Sequence, residues 1–146
     1  MIRKITKQDR DFFIEAADEF YHSDAVEKPL PTEKLTAVFE EMIRSDVFLE
    51  GFILEYNGES AGYCVTSKAF QTEAGGITLW IEDIYIREQF RGKGLGNELF
   101  DFLFRHFEGK VKRYRLEAEP DNKPAMGLYI KNGFRTLEYT QLIKDV

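Results

Sequence analysis

Asp83-Ile84-Tyr85-Ile86-Arg87-Glu88-Gln89-Phe90-Arg91-Gly92-Lys93-Gly94-Leu95-Gly96-Asn97-Glu98-Leu99 is the stretch on which the fold turns. A strand-like alternation runs into three glycines at every second position, and an amphipathic helix carrying Leu99, Phe100, Leu103, Phe104 and Phe107 follows at once. Alternate glycines let successive backbone N–H groups converge on one centre, and the first helical turn adds its partial positive charge. Arg91 and Lys93 reinforce that field. The turn is therefore an anion cradle, with a phosphate or pyrophosphate as its natural guest. A nucleotide P-loop needs Gly-Lys-Ser/Thr, and no hydroxyl residue follows the lysine here. A dinucleotide fingerprint needs a third glycine where Asn97 or Leu99 stands, although Glu117 lies at a suitable distance for a ribose contact. A unit of that kind would also open the domain, and here two helices and a hairpin come first.

Upstream, Met1–Ile5 reads as a short strand and Thr6 as the cap of a helix from about Lys7 to Tyr21. His22–Pro31 is a loop, and Thr32 caps a second helix with Leu35, Val38, Phe39, Met42 and Ile43 as its apolar stripe. Two β-runs, Phe52–Tyr56 and Gly62–Ser67, meet at Asn57-Gly58, a dipeptide whose residues both tolerate positive φ. Gly75-Gly76 turns the chain again before a long strand, Ile77–Ile86. Beyond the glycine turn the pattern predicts a helix to Phe107, a strand Arg113–Ala118, a helix Pro124–Asn132, and one or two closing strands within Phe134–Ile143. The expected fold class is mixed α/β (α+β): one mainly antiparallel central sheet flanked by helices.

The 146 residues fit one domain, 1–146, without linker, repeat or low-complexity segment. A formal charge of −6 argues against a globally basic, nucleic-acid-binding surface. The single cysteine, Cys64, can form no disulfide within the chain, and His22 and His106 show no ligand spacing, so no metal site is expected. No apolar run reaches the roughly 20 residues of a membrane span, and the N-terminus lacks a signal-like apolar segment. The expectation is a cytoplasmic protein without membrane attachment. Charge is unevenly placed: residues 1–86 carry 8 Lys/Arg and 17 Asp/Glu, residues 87–146 carry 12 and 9. Such a division suits a C-terminal half that meets an anion and an N-terminal half that meets a cation.

Arg91-Gly92-Lys93-Gly94-Leu95-Gly96 resembles the acyl-CoA pyrophosphate loop of the GNAT N-acetyltransferase superfamily, with Arg91, Gly94 and Gly96 at its fixed positions. Asn122-Lys123-Pro124-Ala125-Met126-Gly127-Leu128-Tyr129-Ile130-Lys131-Asn132-Gly133-Phe134 is similar to that family's second signature. The order of elements matches over nearly the whole chain. The resemblance implies acetyl-CoA as co-substrate and acetyl transfer to a primary amine by direct attack in a ternary complex. It implies further that the main chain of the Ile84-Tyr85-Ile86 stretch, chiefly Ile84 and Ile86, pairs with pantetheine. The N–H groups of Arg91, Gly92, Lys93, Gly94, Leu95 and Gly96 would hold the pyrophosphate, and Asn122 would lie near the pantetheine arm.

Two catalytic roles follow from the same resemblance. Glu82 stands where related enzymes carry a carboxylate that takes the amine proton through water, and Ile81-Glu82-Asp83 resembles the polyamine acetyltransferases. Tyr129 is placed to protonate the departing thiolate. The loop between the first two helices forms an acceptor wall in the family, so Phe20, Tyr21, Asp24 and Glu27 are candidates for a cationic amine pocket. The acceptor is expected to be small and cationic. The alternatives are a protein or peptide amine, or a non-catalytic acyl-CoA-binding module, and a homodimer is consistent with the family.

Overall fold

The computed structural model describes residues 1–26 and 28–146, so Glu27 lies outside the described residues. Five strands, β1 (Ile2–Lys4), β2 (Leu49–Tyr56), β3 (Glu59–Gln71), β4 (Gly76–Ile86) and β5 (Arg113–Leu116), form one sheet in sequential order. The first four are antiparallel neighbours, and β5 joins β4 in parallel. Among the described residues, helices α1 (Arg10–Tyr21), α2 (Thr32–Arg44), α3 (Leu95–His106) and α4 (Lys123–Lys131) flank the sheet. Asn57 (φ 50°) and Gly58 (φ 81°) make the β2–β3 turn, as their side-chain chemistry dictates.

Strand alternation divides the core in two. Phe52, Leu54, Cys64, Leu79 and Ile81 pack with Leu95, Leu99, Phe100, Leu103 and Phe107 on the α3 side. Ile53, Tyr63 and Val65 pack with Phe13, Ala16 and Ala17 of α1 and Leu35, Phe39 and Met42 of α2 on the other side. The sheet is therefore sandwiched: α1 and α2 cover one face, α3 and α4 the other.

Three details depart from the sequence reading. Thr6 caps a single 3₁₀ turn, Lys7–Asp9, because Asp9 is drawn into a bidentate bond with Arg3 and α1 starts only after it. Thr32 lies inside the first turn of α2 and Pro31 takes the N-cap position. The closing strands within Phe134–Ile143 are absent. Gly133 (φ 90°) turns the chain sharply after α4, and a groove of about 620 Å³ lies between β5 and residues 133–141, so no ladder forms despite local β propensity. Tyr139 instead donates to Glu73 at 2.8 Å.

The far end of α3 is pinned by charge. Glu50 of β2, only 6% exposed, accepts from Lys68 Nζ at 2.7 Å and pairs with His106 Nε2 at 3.0 Å. Burial pushes the Glu50 carboxyl up, but these two partners outweigh it and hold it below its usual range. Its contribution to stability is therefore present above the unfolded carboxylate pKa and is lost as pH falls through the folded value. Glu50→Ala is expected to lower the thermal midpoint by roughly 4–8 °C near neutral pH, about 2 kcal/mol, with the deficit shrinking in acid. Scanning calorimetry of both proteins across pH checks this.

Candidate active site

The parallel ladder between β4 and β5 is short. It begins at Thr78 opposite Arg113 and ends at Ile81 opposite Leu116, while β4 runs on to Ile86. The sequence reading carried β5 to Ala118; the chain in fact peels away after Leu116, and this parting opens a cleft of about 910 Å³. Ile84, Tyr85 and Ile86 form one wall, and Glu117, Ala118, Glu119, Asp121 and Asn122 the other.

Main-chain direction along this wall follows from one bond. Arg87 N–H donates to Ala61 C=O at 2.9 Å, so residues 83, 85 and 87 turn their peptide groups toward β3. Ile84 and Ile86 then turn theirs to the open edge. The Ile86 carbonyl accepts from Arg91 Nε at 2.9 Å, which loops the arginine back along the wall.

The cradle closes one end of the cleft. Gly94 (φ 84°) is the N-cap of α3, and its carbonyl receives the first helical bond, from Glu98 N–H at 3.0 Å. The N–H groups of Leu95, Gly96 and Asn97 thus have no acceptor within the helix. Each of the three glycines serves a distinct need. Gly92 (φ 72°) and Gly94 supply left-handed backbone with nothing within 4 Å of where a Cβ would stand. Gly96 permits close packing, since a Cβ there would lie 2.7 Å from Leu128 of α4. Lys93 is placed elsewhere: its ammonium sits 5.4 Å from the centre of the Tyr56 ring, and its side chain is not part of the cleft wall.

Glu82 owes its position to a β-bulge. Val65 pairs with Asp83 and Thr66 with Ile81, so Glu82 is the extra residue. Ile81 and Ile84 both pack on the α3 side. Alternation counted inward from either of them assigns Glu82 and Asp83 to the opposite face together. Glu82 is exposed, lines the cleft and accepts from the Ser67 hydroxyl. Asp83 is buried beneath it, and burial raises its carboxyl above the usual range, opposed by hydrogen bonds from Tyr21 and Tyr63 and aided by the nearby Glu82 charge.

Tyr129 is carried on α4, half-buried against Phe100 (5.9 Å between ring centres) and Phe134 (6.2 Å). Its side chain lines the cleft, and burial, then Cys64, pushes its phenol above the usual range. It thus stays protonated near neutral pH. Asn122 also lines the cleft, but its side-chain oxygen caps α4 by accepting from Ala125 N–H at 3.4 Å, leaving only the amide end for a ligand. Cys64 is fully buried with its thiol pushed well up, which disqualifies it as a nucleophile.

Of the acceptor-wall candidates, Phe20 and Asp24 reach the cleft with Ser23 and Ala25. Tyr21 turns inward to Asp83, and His22 bonds back to the Asp18 carbonyl at 2.8 Å. Glu119 and Asp121 line the cleft and were not singled out from sequence; the early end of β5 that brings them there leaves no composition signal.

The fold is an α/β sandwich with a splayed parallel edge, a helix N-terminus at the mouth of the cleft, and a carboxylate and a phenol along its walls. The chain belongs to the acetyltransferase (GNAT) family, which it matches over residues 11–134. It is an acetyl-CoA-dependent N-acetyltransferase. A Bacillus subtilis (strain 168) protein assigned as a ribosomal protein bS18 alanine N-acetyltransferase is 28% identical over 132 residues, 86% of this chain and 79% of that protein. The Sus scrofa thialysine N-epsilon-acetyltransferase is 28% identical over 113 residues, 68% of this chain and 66% of that protein. Among solved structures, AAC(6')-Iy with the bisubstrate analogue CoA-S-monomethyl-acetylneamine superposes at a TM-score of 0.82, with 18% identity, covering 100% of this chain and 97% of that one. Among the described residues no helix is long and apolar enough to cross a membrane.

Proposed function

We propose that the protein transfers the acetyl group of acetyl-CoA to a primary amine of a small cationic acceptor, by direct attack within a ternary complex. The observation that carries this reading is the coincidence, in one cleft, of an unpaired strand edge, the free N–H groups of α3, Glu82 and Tyr129. Acetyl-CoA supplies an activated thioester carbonyl. The groups of this chain fit it: Ile84 and Ile86 offer main-chain partners for amides, and Gly92, Gly94, Leu95 and Gly96 offer N–H donors with open space above Gly92 and Gly94. The amine arrives as an ammonium with a reference pKa of about 10.4, so it must lose a proton before its nitrogen can attack. Glu82 takes that proton through water. As the new C–N bond forms and the C–S bond breaks, Tyr129 gives its proton to the sulfur.

The cation preference rests on charge. Asp24, Glu82, Glu117, Glu119 and Asp121 line the cleft against one cation, Arg91, whose Nε bonds back to the Ile86 carbonyl. A panel of amines and peptides assayed for CoA release tests the acceptor, and activity confined to strongly anionic amines would refute a cationic acceptor. The resemblance to an alanine N-acetyltransferase supports a second reading, in which the acceptor is a protein α-amine; turnover of alanine-initiated peptides alone would establish it. Initial-velocity lines that intersect support direct attack, whereas parallel lines would require a covalent enzyme intermediate.

Tyr129→Phe removes only the hydroxyl. The expected result is turnover lowered by up to roughly 10²-fold, with acetyl-CoA affinity little changed. Thiolate is a fair leaving group, so the loss should be smaller than that at Glu82 and should vary with acceptor. Steady-state kinetics with several amines measures it, and full activity would return Tyr129 to a packing role.

A further inference from the structure

Three same-face positions along the distal half of β4 and its end each hold residues of α1. Arg87 Nη2 contacts Glu15 at 2.7 Å and Glu19 at 2.9 Å. The Tyr85 hydroxyl donates to Glu19 Oε2 at 3.1 Å, and the Tyr21 hydroxyl donates to Asp83 Oδ1 at 2.6 Å. Helix α1 is thus laced, rung by rung, to the strand segment that walls the cleft. The Arg87 and Tyr85 rungs are solvent-exposed, and contacts of that kind contribute little. The Asp83 rung is different.

Asp83 is 9% exposed and its second oxygen accepts from the fully buried Tyr63 at 3.2 Å. The groups that face it are Tyr21 from α1, Tyr63 from β3 and Glu82 beside it; no cation among the described residues is within ion-pairing distance. Burial, then Asp83 itself, keeps the Tyr21 phenol protonated well above its usual range, so it remains a donor. A buried carboxylate whose partners are two phenols is costly to leave half-satisfied. This is the rung whose loss the joint would feel.

The joint connects two walls of the cleft. Phe20 immediately before Tyr21, and Asp24 shortly after it, line the cleft from the end of α1 and just beyond it, and Glu82 immediately before Asp83 lines it from β4. We propose that Asp83 is a positioning residue for acetyl transfer: through Tyr21 it fixes the end of α1 against the β4 bulge and so sets the gap between the Phe20–Asp24 wall and Glu82 in which the acceptor amine is aligned. This rests on the reading of the cleft as an acceptor site beside Glu82 and adds what holds that site to size. Asp83 touches neither substrate; it acts through Tyr21.

Tyr21→Phe removes one hydroxyl and keeps the ring, which packs 5.0 Å from Phe20. The expected result is an acceptor KM raised roughly tenfold with a smaller change in kcat. Acetyl-CoA affinity, read by calorimetry, stays within about twofold, because the cradle and the Ile84 and Ile86 edge are untouched. Asp83→Leu should reproduce that pattern, and Asp83→Asn, which keeps an acceptor oxygen, should recover much of the loss. Glu19→Gln, at an exposed rung, should leave acceptor KM within about twofold of the parent. An unchanged acceptor KM in Tyr21→Phe, or an equal rise in Glu19→Gln, overturns the proposal. Full turnover in Glu82→Gln alongside a raised KM in Tyr21→Phe would remove Glu82 as the base and leave the joint standing.

Discussion

Glu82→Gln should lower turnover by roughly 10²–10⁴-fold while acetyl-CoA binding is preserved. Glutamine keeps the shape of the side chain and its bond to Ser67, so the bulge that presents it should persist. What it loses is the oxygen proposed to take the proton. The deficit should narrow as pH rises, because more of the amine is then already neutral in solution. Steady-state kinetics across pH, with an amine that the parent turns over, is the measurement. Full activity at neutral pH would transfer the base role to water or to another group of the cleft.

Gly94→Val is expected to weaken CoA binding by at least roughly tenfold while the protein stays folded. At φ 84° any L side chain is strained, at a cost of about 1–2 kcal/mol. The Cβ would meet nothing within 4 Å, so no clash inside the protein competes with this strain. The effect should therefore concentrate where the backbone approaches the pyrophosphate. Calorimetric titration with CoA, beside circular dichroism of both proteins, separates binding from folding. Unchanged affinity would detach the glycine turn from its assigned guest.

The glycine turn, the two helices before the hairpin and the Asn57-Gly58 hairpin were legible because each depends on local chemistry: positive φ, apolar spacing, an αL-tolerant pair. The backbone conformation of the glycine turn was legible for the same reason, but the Lys93 side chain swings to Tyr56, a tertiary preference that no local pattern encodes. The closing strands were over-read. Strand propensity in residues 134–143 is real, but a strand exists only with a partner ladder, and β5 is four residues long and stands apart from that segment. The placement of Glu82 and Asp83 required knowing that β4 bulges opposite Val65 and Thr66, which depends on register across two strands. Tyr21 was read as a pocket wall, and its inward turn to Asp83 is likewise a long-range fact, 62 residues apart in sequence.

The parting of β4 from β5 after Ile81 leaves a strip of strand with two kinds of amide in alternation. Tyr85 and Arg87 are bonded into the sheet, while Ile84 and Ile86 face the gap. In the free protein, amide hydrogen exchange along this strip should therefore form a comb, fast at Ile84 and Ile86 and slow at Tyr85 and Arg87. Bound CoA would act as the missing strand and erase the teeth of that comb. On the proposed reading the sheet would be completed by its substrate, and its last hydrogen bonds would form in each catalytic cycle, outside the folding of the chain.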